Sequence, residues 1–536
     1  MSSINSIIVE NVKVPISSDD DAICADAVKR VRSTGLFGNV VSSGVYKKSV
    51  DARKKDSIFF VCSVILEVES VREIPEDKLR KYGVKIKPDL TVSMTPGTEL
   101  MERRPVVIGF GPAGMFASLY LAKYGYRPIV LERGSSVSER VAAVERFNKD
   151  GVLDTESNIQ FGAGGAGAFS DGKLTTRIGD PYVQTVLSVF GEMGADKNVL
   201  KRAKPHIGTD VLRVVVENFH KKIESLGGEI RYNTKVTGLG DGYVYVGADR
   251  IPCGAAVLAV GHSARDLYSA LFASGFAIEA KPFSVGVRIE HFTKDIDCAM
   301  YGDNALAERL GHAEYALSLR KGERGVYTFC MCPGGTVVAA ASEEGGVVTN
   351  GMSNSRRDGI NSNSAIAVSV LPTDFGGDPM RAVEFQRNLE RRAFEAGGRN
   401  YFAPCQSVGD FLEGRYSVGN FGVAPTYRGG KVTPCRLDSV LPGFVTSMLK
   451  EGISYFGRKI AGFDSPRSPL TAVESRTSAP LRILRDDDYL AVSHKNVYPC
   501  GEGAGYAGGI VSAAVDGIRV ANAVISRFSP DRISED

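Results

Sequence analysis

The chain has 536 residues, a length that predicts more than one domain. Its 65 Lys and Arg nearly balance its 62 Asp and Glu, and a formal net charge of +3 does not predict a nucleic-acid or acidic-membrane partner for the whole chain. The nine cysteines form no CxxC motif, so we expect free thiols, a reducing compartment and a cytoplasmic location. No apolar run approaches the length of a membrane span, and residues 1–18 have no secretory or transit character.

Residues 1–90 have the pattern of a small α+β unit that precedes the main body of the chain. Their apolar segments follow the order βαββαβ, which predicts a ferredoxin-like module. Residues 91–103, with a Pro-Gly pair, are typical of a linker. The module contains a run of basic residues: Lys47, Lys48, Arg53, Lys54 and Lys55. The run indicates either an anion or RNA contact or a solvated hairpin face, and the intervening Asp51 and Asp56 favour the solvated face.

The most informative motif lies in residues 104–133, where a strand, a glycine turn, a helix and a second strand end in an acid. Gly109, Gly111 and Gly114 have the GxGxxG spacing. The first glycine allows a tight turn, the second lets the backbone approach a pyrophosphate, and the third lets the helix pack against the strand. Glu132 ends the second strand, where an acid is expected to bind a ribose hydroxyl. This order of elements favours dinucleotide binding over an ordinary βαβ unit.

A second glycine-rich stretch covers residues 157–173, which we name the wrap. Gly162, Gly164 and Gly167 also match GxGxxG. No buried strand precedes them and no amphipathic helix follows, so a second dinucleotide fold is not predicted. We interpret the wrap as a flexible segment that lets backbone amides approach a flat ring, with a plain glycine-rich loop as the alternative.

The parallel-sheet pattern is interrupted once and resumes near the C-terminus. Residues 255–260 are all apolar, as in a central strand of a parallel sheet. Residues 281–488 alternate β-like segments with loops and contain one clear helix, 380–396. Residues 489–536 then resume the first pattern with a glycine-rich segment and a long helix. The predicted fold class is α/β: a Rossmann-like FAD-binding domain (104–280 and 489–536), an inserted β-rich substrate or cap domain, and the N-terminal ferredoxin-like α+β module.

Together these segments resemble the FAD-binding proteins of the glutathione-reductase-like superfamily. In that superfamily an ATG-like strand end backs the cofactor and a GD motif contacts its ribityl chain. Here 259–261 (Ala-Val-Gly) takes the first place and 501–503 (Gly-Glu-Gly) takes the second, with Glu replacing Asp. More closely, the chain is similar to a largely uncharacterised family of bacterial and plastid FAD-dependent dehydrogenases, also described as NAD(FAD)-utilising dehydrogenases. The stretches that carry this resemblance span nearly the whole chain: 48–55, 157–173, 282–288, 327–335, 350–355, 476–483 and 501–517.

The resemblance implies FAD as the cofactor. The candidate cofactor-binding residues are Gly109, Gly111, Pro112, Ala113, Gly114, Glu132, Arg133, Arg140, Gly164, Gly165, Ala166, Gly167, Ser170, Lys173, Val236, Gly261, Gly501, Glu502, Gly508, Gly509 and Ile510. The N-terminus of the last helix, at Gly508 and Gly509, is expected to stabilise negative charge on a reduced flavin ring.

Catalytic residues are less clearly marked, and each candidate has an ordinary alternative. The candidates are Lys173, His262, Cys330, Ser353, Asn354 and Arg356. Lys173 and Arg140 suit either a position near the flavin and its phosphates or a surface ion pair. Cys330 and Cys332 form CxC rather than the CxxC of thioredoxin-like pairs, which favours buried thiols over catalytic ones. The polar run 353–361 suits substrate binding or a solvated loop, and no Cys and His cluster has metal-ligand spacing.

The whole pattern predicts an FAD-dependent oxidoreductase or dehydrogenase that acts on a small molecule. No credible second Rossmann unit follows, so we expect NAD(P)H to reach the flavin only transiently, as in hydroxylases of the superfamily that the chain resembles. Two alternatives stay open. One is a flavin-dependent RNA-modifying enzyme that uses the basic N-terminal module, and the other is a flavin-binding protein with a structural role. A membrane partner is not expected, and nucleic acid is expected only under the first alternative.

Overall fold

A computed structural model of the protein describes residues 3–70, 75–87, 92–176 and 178–530. The predicted boundary at residue 90 and the end of the last predicted unit, residues 531–536, lie outside these ranges. Within them helices and sheets are mixed along the whole chain, which agrees with the predicted α/β class.

The first six elements form a four-stranded antiparallel sheet with two helices. They are β1 (Ser3–Pro15), α1 (Asp20–Thr34), β2 (Val40–Asp51), β3 (Phe59–Ser70), α2 (Glu76–Lys81) and β4 (Val84–Ile86). The strand order is β2-β3-β1-β4. Alternate residues of β3, among them Val64 and Leu66, are buried in a core that includes Ile23 and Ala27 of α1. This part of the chain therefore has a hydrophobic core of its own, with one sheet face turned towards α1.

The next part of the chain alternates short strands with helices. Its elements are β5 (Glu99–Leu100), β6 (Val106–Ile108), α3 (Pro112–Lys123), β7 (Ile129–Leu131), α4 (Val137–Asp150), a 3-10 helix (Gly165–Phe169), α5 (Tyr182–Glu192), α6 (Lys197–Leu200), α7 (Thr209–Ser225), β8 (Glu229–Arg231), β9 (Gly238–Gly240), β10 (Tyr243–Val246), β11 (Asp249–Pro252), β12 (Ala256–Leu258) and α8 (Arg265–Ala273). Strands β6, β7 and β12 are buried along their whole length, as in a sheet covered on both faces.

A larger sheet occupies most of the following segment. The elements are β13 (Ile278–Ala280), β14 (Phe283–Phe292), α9 (Thr293–Tyr301), α10 (Ala305–Leu310), β15 (Ser318–Lys321), β16 (Arg324–Cys332), β17 (Thr336–Ala339), β18 (Thr349–Met352), β19 (Asn361–Val370), a 3-10 helix (Pro372–Asp374), α11 (Pro379–Ala396), β20 (Ala403–Ser407), α12 (Val408–Glu413), a 3-10 helix (Tyr427–Gly429), β21 (Val432–Pro434), a 3-10 helix (Leu437–Ser439), α13 (Gly443–Gly457), β22 (Pro469–Glu474) and β23 (Leu481–Ile483). The seven strands follow the order β15-β16-β19-β14-β22-β20-β21.

The prediction of one clear helix in this segment is wrong. Helix α11 is present, but α9, α10, α12 and α13 accompany it. Helix α13 contains Gly452, a poor helix former, because a Cβ at that position would lie 2.8 Å from the Cγ atoms of Val326 in the sheet. Close packing on the sheet therefore outweighs the low helix propensity of this sequence.

The last elements return to the first sheet. They are β24 (Val497–Pro499), α14 (Ile510–Arg527) and β25 (Phe528–Ser529). The parallel sheet has five strands in the order β24-β12-β6-β7-β8, so β24 pairs with β12 although the larger sheet separates them in the chain. Helix α14 crosses α3 so closely that a Cβ on Gly517 would lie 2.3 Å from the Ala113 carbonyl oxygen. Strand β25 pairs with β5, just before the first strand of the parallel sheet.

Candidate cofactor and active site

The glycine turn lies between β6 and α3, at the carboxyl end of the parallel sheet. Gly109 has a φ of 99°, and a Cβ there would lie 2.5 Å from the Ala259 carbonyl oxygen. A Cβ on Gly114 would lie 1.9 Å from the Gly109 carbonyl oxygen. Gly111 differs, because its φ is −81° and the nearest atom to a Cβ would be the Gly165 Cα at 3.8 Å. The fold therefore requires the first and third glycines, whereas Gly111 leaves open a face beside the N-terminus of α3.

Arg140 of α4 holds the wrap across this turn. Its buried guanidinium donates, at 2.7–3.2 Å, to the carbonyl oxygens of Asn158, Ile159, Gly162, Ala163 and Gly165. Burial lowers the pKa of Arg140 to about 9. The surface ion pair considered for Arg140 is therefore wrong, and its N–H groups shape the backbone of the wrap.

The wrap also contacts the start of the last helix. A Cβ on Gly167 would lie 3.3 Å from Ile510 of α14 and 3.5 Å from Pro112 of α3. A Cβ on Gly501 would lie 2.6 Å from the Ala113 Cβ. Three glycine-rich segments that are far apart in the chain thus meet where the N-termini of α3 and α14 approach each other, a favourable place for an anionic group.

Gly508 and Gly509, just before α14, border open space. Both are exposed, and no atom of the described residues lies within 4 Å of a Cβ on either glycine. The same is true of Gly261, at the end of β12. The Glu502 carboxylate accepts a hydrogen bond from the Gly509 N–H at 3.2 Å, so the Gly-Glu-Gly segment is attached to the start of α14.

Glu132 occupies the expected end of β7, but its carboxylate is already engaged. Its side chain is 4% exposed, and Oε2 accepts from the Phe110 N–H at 2.8 Å. Oε1 accepts from the N–H groups of Gly134 and Gly162, each at 2.9 Å. These three backbone N–H groups hold the acid in the turns, and a carboxylate has about four acceptor sites, so the ribose contact of Glu132 stays a prediction.

A cavity of 460 Å³ lies beside this strand end. Its lining includes Arg133, Glu156, Lys235 and Asp266. These four side chains form a closed ring of ion pairs, in which each basic group contacts both acids at 2.7–3.0 Å. Although burial opposes ionisation, hydrogen bonds from Arg133 and Lys235 lower the pKa of Asp266 to about 2. The sequence prediction included only Arg133 from this ring.

The other candidates of the wrap, and Val236 between β8 and β9, have contacts within the protein, and their place at the cofactor stays a prediction. Gly164 has a φ of 83°, and a Cβ there would lie 2.6 Å from Val216. Ala166 is half-buried, and the Ser170 hydroxyl donates to the Gly167 carbonyl oxygen at 2.7 Å. Val236 is buried in the core beside Leu239.

Lys173 joins a buried polar cluster between the wrap and the larger sheet. Its ammonium lies 3.6 Å from the carboxylate of Asp171. That carboxylate also forms an ion pair with Arg357 at 2.6 Å and accepts a hydrogen bond from the Ser353 hydroxyl. Burial opposes ionisation of Asp171, but Lys173 and Arg357 lower its pKa to about 2. Asp171 outweighs burial for Lys173 and raises its pKa. The sequence placed Lys173 and Ser353 among the candidates but missed the acid that joins them.

The remaining polar candidates lie apart from this cluster. Asn354 and Arg356 are exposed. The Nε2–H of His262 donates to the Arg476 carbonyl oxygen at 3.1 Å, and burial lowers the pKa of His262. Burial and the neighbouring Arg357 lower the pKa of His206 to about 4. Neither histidine therefore carries a positive charge at neutral pH.

Cys330 lies on β16 at an irregular position. The pairing of β16 with β19 shifts between Phe329 and Cys332, and Cys330 has a φ of 46°. Arg288 donates to the Cys330 carbonyl oxygen at 3.1 Å and forms a buried ion pair with Glu474 at 2.9 Å. A bulge of this kind redirects a side chain away from the regular strand face.

A second buried ion cluster connects α8 to α11, and sequence reasoning missed it. Glu390 of α11 forms ion pairs with Arg265 at 2.7 Å and with Arg476 at 2.8 Å, and each of the three side chains is at most 4% exposed. The two guanidinium groups lower the pKa of Glu390 despite its burial. The only sign of this cluster in the sequence is that apolar residues surround its charged residues. A charged side chain that is buried among apolar residues is expected to have a partner.

The basic run of the first sheet is partly paired within the protein. Lys48 lies 3.3 Å from Asp20, and its backbone N–H donates to the Lys201 carbonyl oxygen at 2.9 Å. Arg53 pairs with Asp51 and remains 87% exposed. These contacts attach β2 to the segment before α7 and leave fewer free charges than the sequence suggested.

The described ranges contain no group of three or more His, Cys, Asp or Glu side chains arranged to hold a metal. Nor does any helix in those ranges combine the length and the apolar character that a membrane crossing requires.

Comparison with known proteins identifies a relative along the whole chain. Residues 282–477 match the family described as FAD-dependent protein, C-terminal domain-like. An uncharacterized protein of Clostridium beijerinckii (strain ATCC 51743 / NCIMB 8052) is 44% identical over 540 residues, which cover 98% of this chain and 99% of the relative.

Solved structures give weaker likenesses. CtdE in complex with FAD is 11% identical with a TM-score of 0.31, covering 78% of this chain and 82% of that chain. The Y270A mutant of 2-methyl-3-hydroxypyridine-5-carboxylic acid oxygenase is 12% identical with a TM-score of 0.30, covering 78% and 80%. The chain belongs to the same protein family as the clostridial protein, and its residues 282–477 belong to the C-terminal domain-like family of FAD-dependent proteins.

Proposed function

We propose that the protein is an FAD-dependent oxidoreductase that acts on a small molecule. The observation that carries this proposal is the meeting of the glycine turn, the wrap and the segment before α14 at two helix N-termini. Gly111 and Gly508 are the critical positions, because the fold itself has room for a side chain at both. A large anionic ligand that lies directly against the backbone at these positions would leave no room for a side chain, which explains the glycines.

The residues present suit the ligand in two regions. Gly111 and the start of α3 would hold the pyrophosphate, with the wrap closing over it. Gly261, Gly508 and Gly509 border open space that would receive the flavin ring beside the N-terminus of α14. Bound FAD supplies two-electron transfer, while the chain binds and orients it and sets its surroundings. We infer a Rossmann-like domain, an inserted substrate domain and a ferredoxin-like N-terminal module as the units of this enzyme.

The test is reconstitution of the purified full-length protein with FAD. Gly508→Ala is expected to raise the Kd for FAD by about tenfold or more. Gly443→Ala is the matched control, because this glycine also begins a helix, and no atom of the described residues lies within 4 Å of a Cβ there. The control should bind FAD like the wild type. Absence of FAD binding by the folded wild-type protein would overturn the proposal, and equal affinities of the two variants would overturn the placement at α14.

A second measurement tests the electron donor. We propose that NAD(P)H reduces the flavin while bound only transiently, because a second Rossmann unit is not predicted from the sequence. Anaerobic NADH or NADPH should bleach the visible absorbance of the reconstituted protein. A flavin that stays oxidised with both nucleotides would contradict the proposal that NAD(P)H is the electron donor. It would not affect the proposal of FAD binding, which the reconstitution tests separately.

A further inference from the structure

The CxC pair on β16 has a backbone geometry that a purely structural pair of thiols does not need. Residues up to Phe329 pair regularly with β19, and pairing resumes at Cys332 opposite Asn363. Cys330 lies in the bulge between them with a φ of 46°, in the left-handed region that side chains other than glycine rarely adopt. Such local strain in a folded chain is concentrated at functional positions.

The charges around Cys330 favour its thiolate. The Cys332 thiol donates to the Cys330 carbonyl oxygen at 3.2 Å and lies beside the Cys330 sulfur, whose pKa it lowers. Arg288 and Lys173 lower that pKa further, while burial and Asp171 oppose them. Glu474 is a second nearby acid, but it is paired with Arg288 through both of its oxygens. The same coupling raises the pKa of Cys332, which therefore keeps its proton.

Other buried cysteines of the chain show the opposite behaviour. Burial raises the pKa of Cys253 to about 12, and burial also raises the pKa of Cys405. Cys330 itself is half-buried as a residue, in contrast to Cys253 and Cys405. The basic surroundings and partial exposure are the conditions under which protein thiols become reactive.

An unused hydrogen-bond donor lies next to the pair. Asn363 is fully buried, and its Oδ1 accepts from Arg288 at 2.7 Å. Its Nδ2 has no hydrogen-bond partner among the residues that the structure describes. A buried amide that directly faces Cys332 across the ladder and retains a free N–H is suited to bind an oxygen atom at the thiols.

We propose that Cys330 is a nucleophilic thiolate that takes an oxygen atom from peroxides, and that Cys332 then closes it into an internal disulfide. In the first step an S–O bond forms and the O–O bond of hydrogen peroxide breaks, which gives a sulfenic acid and hydroxide; a solvent proton converts the hydroxide to water. In the second step the Cys332 sulfur forms the S–S bond and water leaves. Two thiols and one peroxide give one disulfide and two waters. This activity goes beyond the proposed function and does not require FAD.

The first test measures alkylation of the reduced wild-type protein by iodoacetamide across pH, with each cysteine followed by peptide mass spectrometry. Cys298, which is exposed, is the reference within the same molecule. At about pH 6 Cys330 should react at least about tenfold faster than Cys298, because a thiolate is the reacting species. Cys332→Ala should move the pH midpoint of the Cys330 reaction upwards. A wild-type Cys330 that reacts no faster than Cys298 at this pH overturns the proposal.

The second test exposes the reduced wild-type protein to one equivalent of hydrogen peroxide. A disulfide linking Cys330 and Cys332 should form, and both thiols should become resistant to alkylation. In Cys332→Ala, dimedone should instead label Cys330 as a sulfenic acid. Oxidation spread evenly over the cysteines, or no disulfide at the CxC pair of the wild-type protein, overturns the proposal even if the variant fails to fold.

Discussion

The backbone of Gly165 in the wrap lies directly against Gly111 in the glycine turn: a Cβ on Gly165 would come within 3.0 Å of the Gly111 Cα. Gly165 also has a φ of 59°, so both conformation and space favour glycine there. The wrap and the turn therefore meet backbone to backbone, without a side chain between them. This contact sets the width of the space that a pyrophosphate would share with both segments.

We expect Gly111→Ala to weaken FAD binding and leave the fold intact, because a Cβ there meets its nearest neighbour at 3.8 Å, an ordinary contact. The Kd should rise about tenfold or more, which corresponds to about 1.4 kcal/mol. The measurement is a fluorescence titration of the apoprotein with FAD. Gly114→Ala is the contrast: its Cβ would lie 1.9 Å from a carbonyl oxygen, so the free energy of unfolding should fall by about 2 kcal/mol or more. An unchanged Kd for Gly111→Ala would contradict the placement of the pyrophosphate.

Arg140→Lys should release the wrap, since one ammonium cannot reach the carbonyl oxygens that the guanidinium now binds. We expect a loss of about 3 kcal/mol in the free energy of unfolding, measured with urea, and a faster loss of FAD. Arg213→Lys is the matched control, because Arg140 and Arg213 both lie 4.7 Å from the Phe169 ring centroid. The control loses the ring contact alone. Equal destabilisation by the two changes would assign the effect to the ring contact and not to the carbonyl oxygens.

Asp171→Asn should destabilise the protein by about 3–5 kcal/mol at neutral pH, because Lys173 and Arg357 then lose a buried acid. The pKa of Asp171 is about 2 in the folded protein, below its ordinary value of 3.8. Its contribution is thus complete above the ordinary value and is lost as pH falls towards the folded value.

The difference in unfolding free energy between wild type and Asp171→Asn should therefore shrink between about pH 4 and pH 2. Urea titrations at neutral pH and near pH 3 measure it. Asp210→Asn serves as the control, since Asp210 is exposed and accepts hydrogen bonds from the N–H and the hydroxyl of Ser355 at 2.7–2.8 Å. It should cost about 1 kcal/mol at neutral pH. A pH-independent difference for Asp171→Asn would contradict an ionised Asp171.

Glu390→Gln should disturb the contact between α8 and α11, because Arg476 would lose its ion pair with Glu390 and Arg265 would keep only the half-buried Glu343 as an acidic partner. We expect a loss of about 3–5 kcal/mol in the free energy of unfolding. Glu384→Gln is the control on the same helix, where the acid pairs with the half-buried Arg387 and the exposed Arg391. That change should cost at most about 1 kcal/mol. Similar values for the two variants would show that burial of the Glu390 cluster has no energetic effect.

Local patterns predicted the parts of the site that depend on short stretches of chain. The spacing of Gly109, Gly111 and Gly114 identified the turn, since Gly109 meets the backbone at the end of the adjacent strand and Gly114 meets the backbone of Gly109. The segment 501–510 was identified in the same way. The resemblance assigned 501–503 to the cofactor, and in the structure a Cβ on Gly501 would lie 2.6 Å from the Ala113 Cβ, beside the glycine turn.

Long-range pairs could not be predicted, because no local pattern specifies which buried charge meets which. Asp171 lies in the wrap and Arg357 in the loop after β18, and Arg288 and Glu474 pair across neighbouring strands that lie far apart in sequence. The backbone contacts of Glu132 were missed for a related reason. Its position at the strand end was correct, but only the folded wrap brings the Gly162 N–H to its carboxylate.

The order of the parallel sheet has a consequence for biosynthesis. Strand β24 and helix α14, which complete the sheet and cover α3, come from residues 497–527, near the end of the chain. While the ribosome is still translating the larger sheet, the glycine turn is already outside the exit tunnel without its final neighbours. The surface of α3 and of the parallel sheet that β24 and α14 later cover therefore stays exposed during this part of synthesis. Exposed apolar surface of this kind is what chaperones bind.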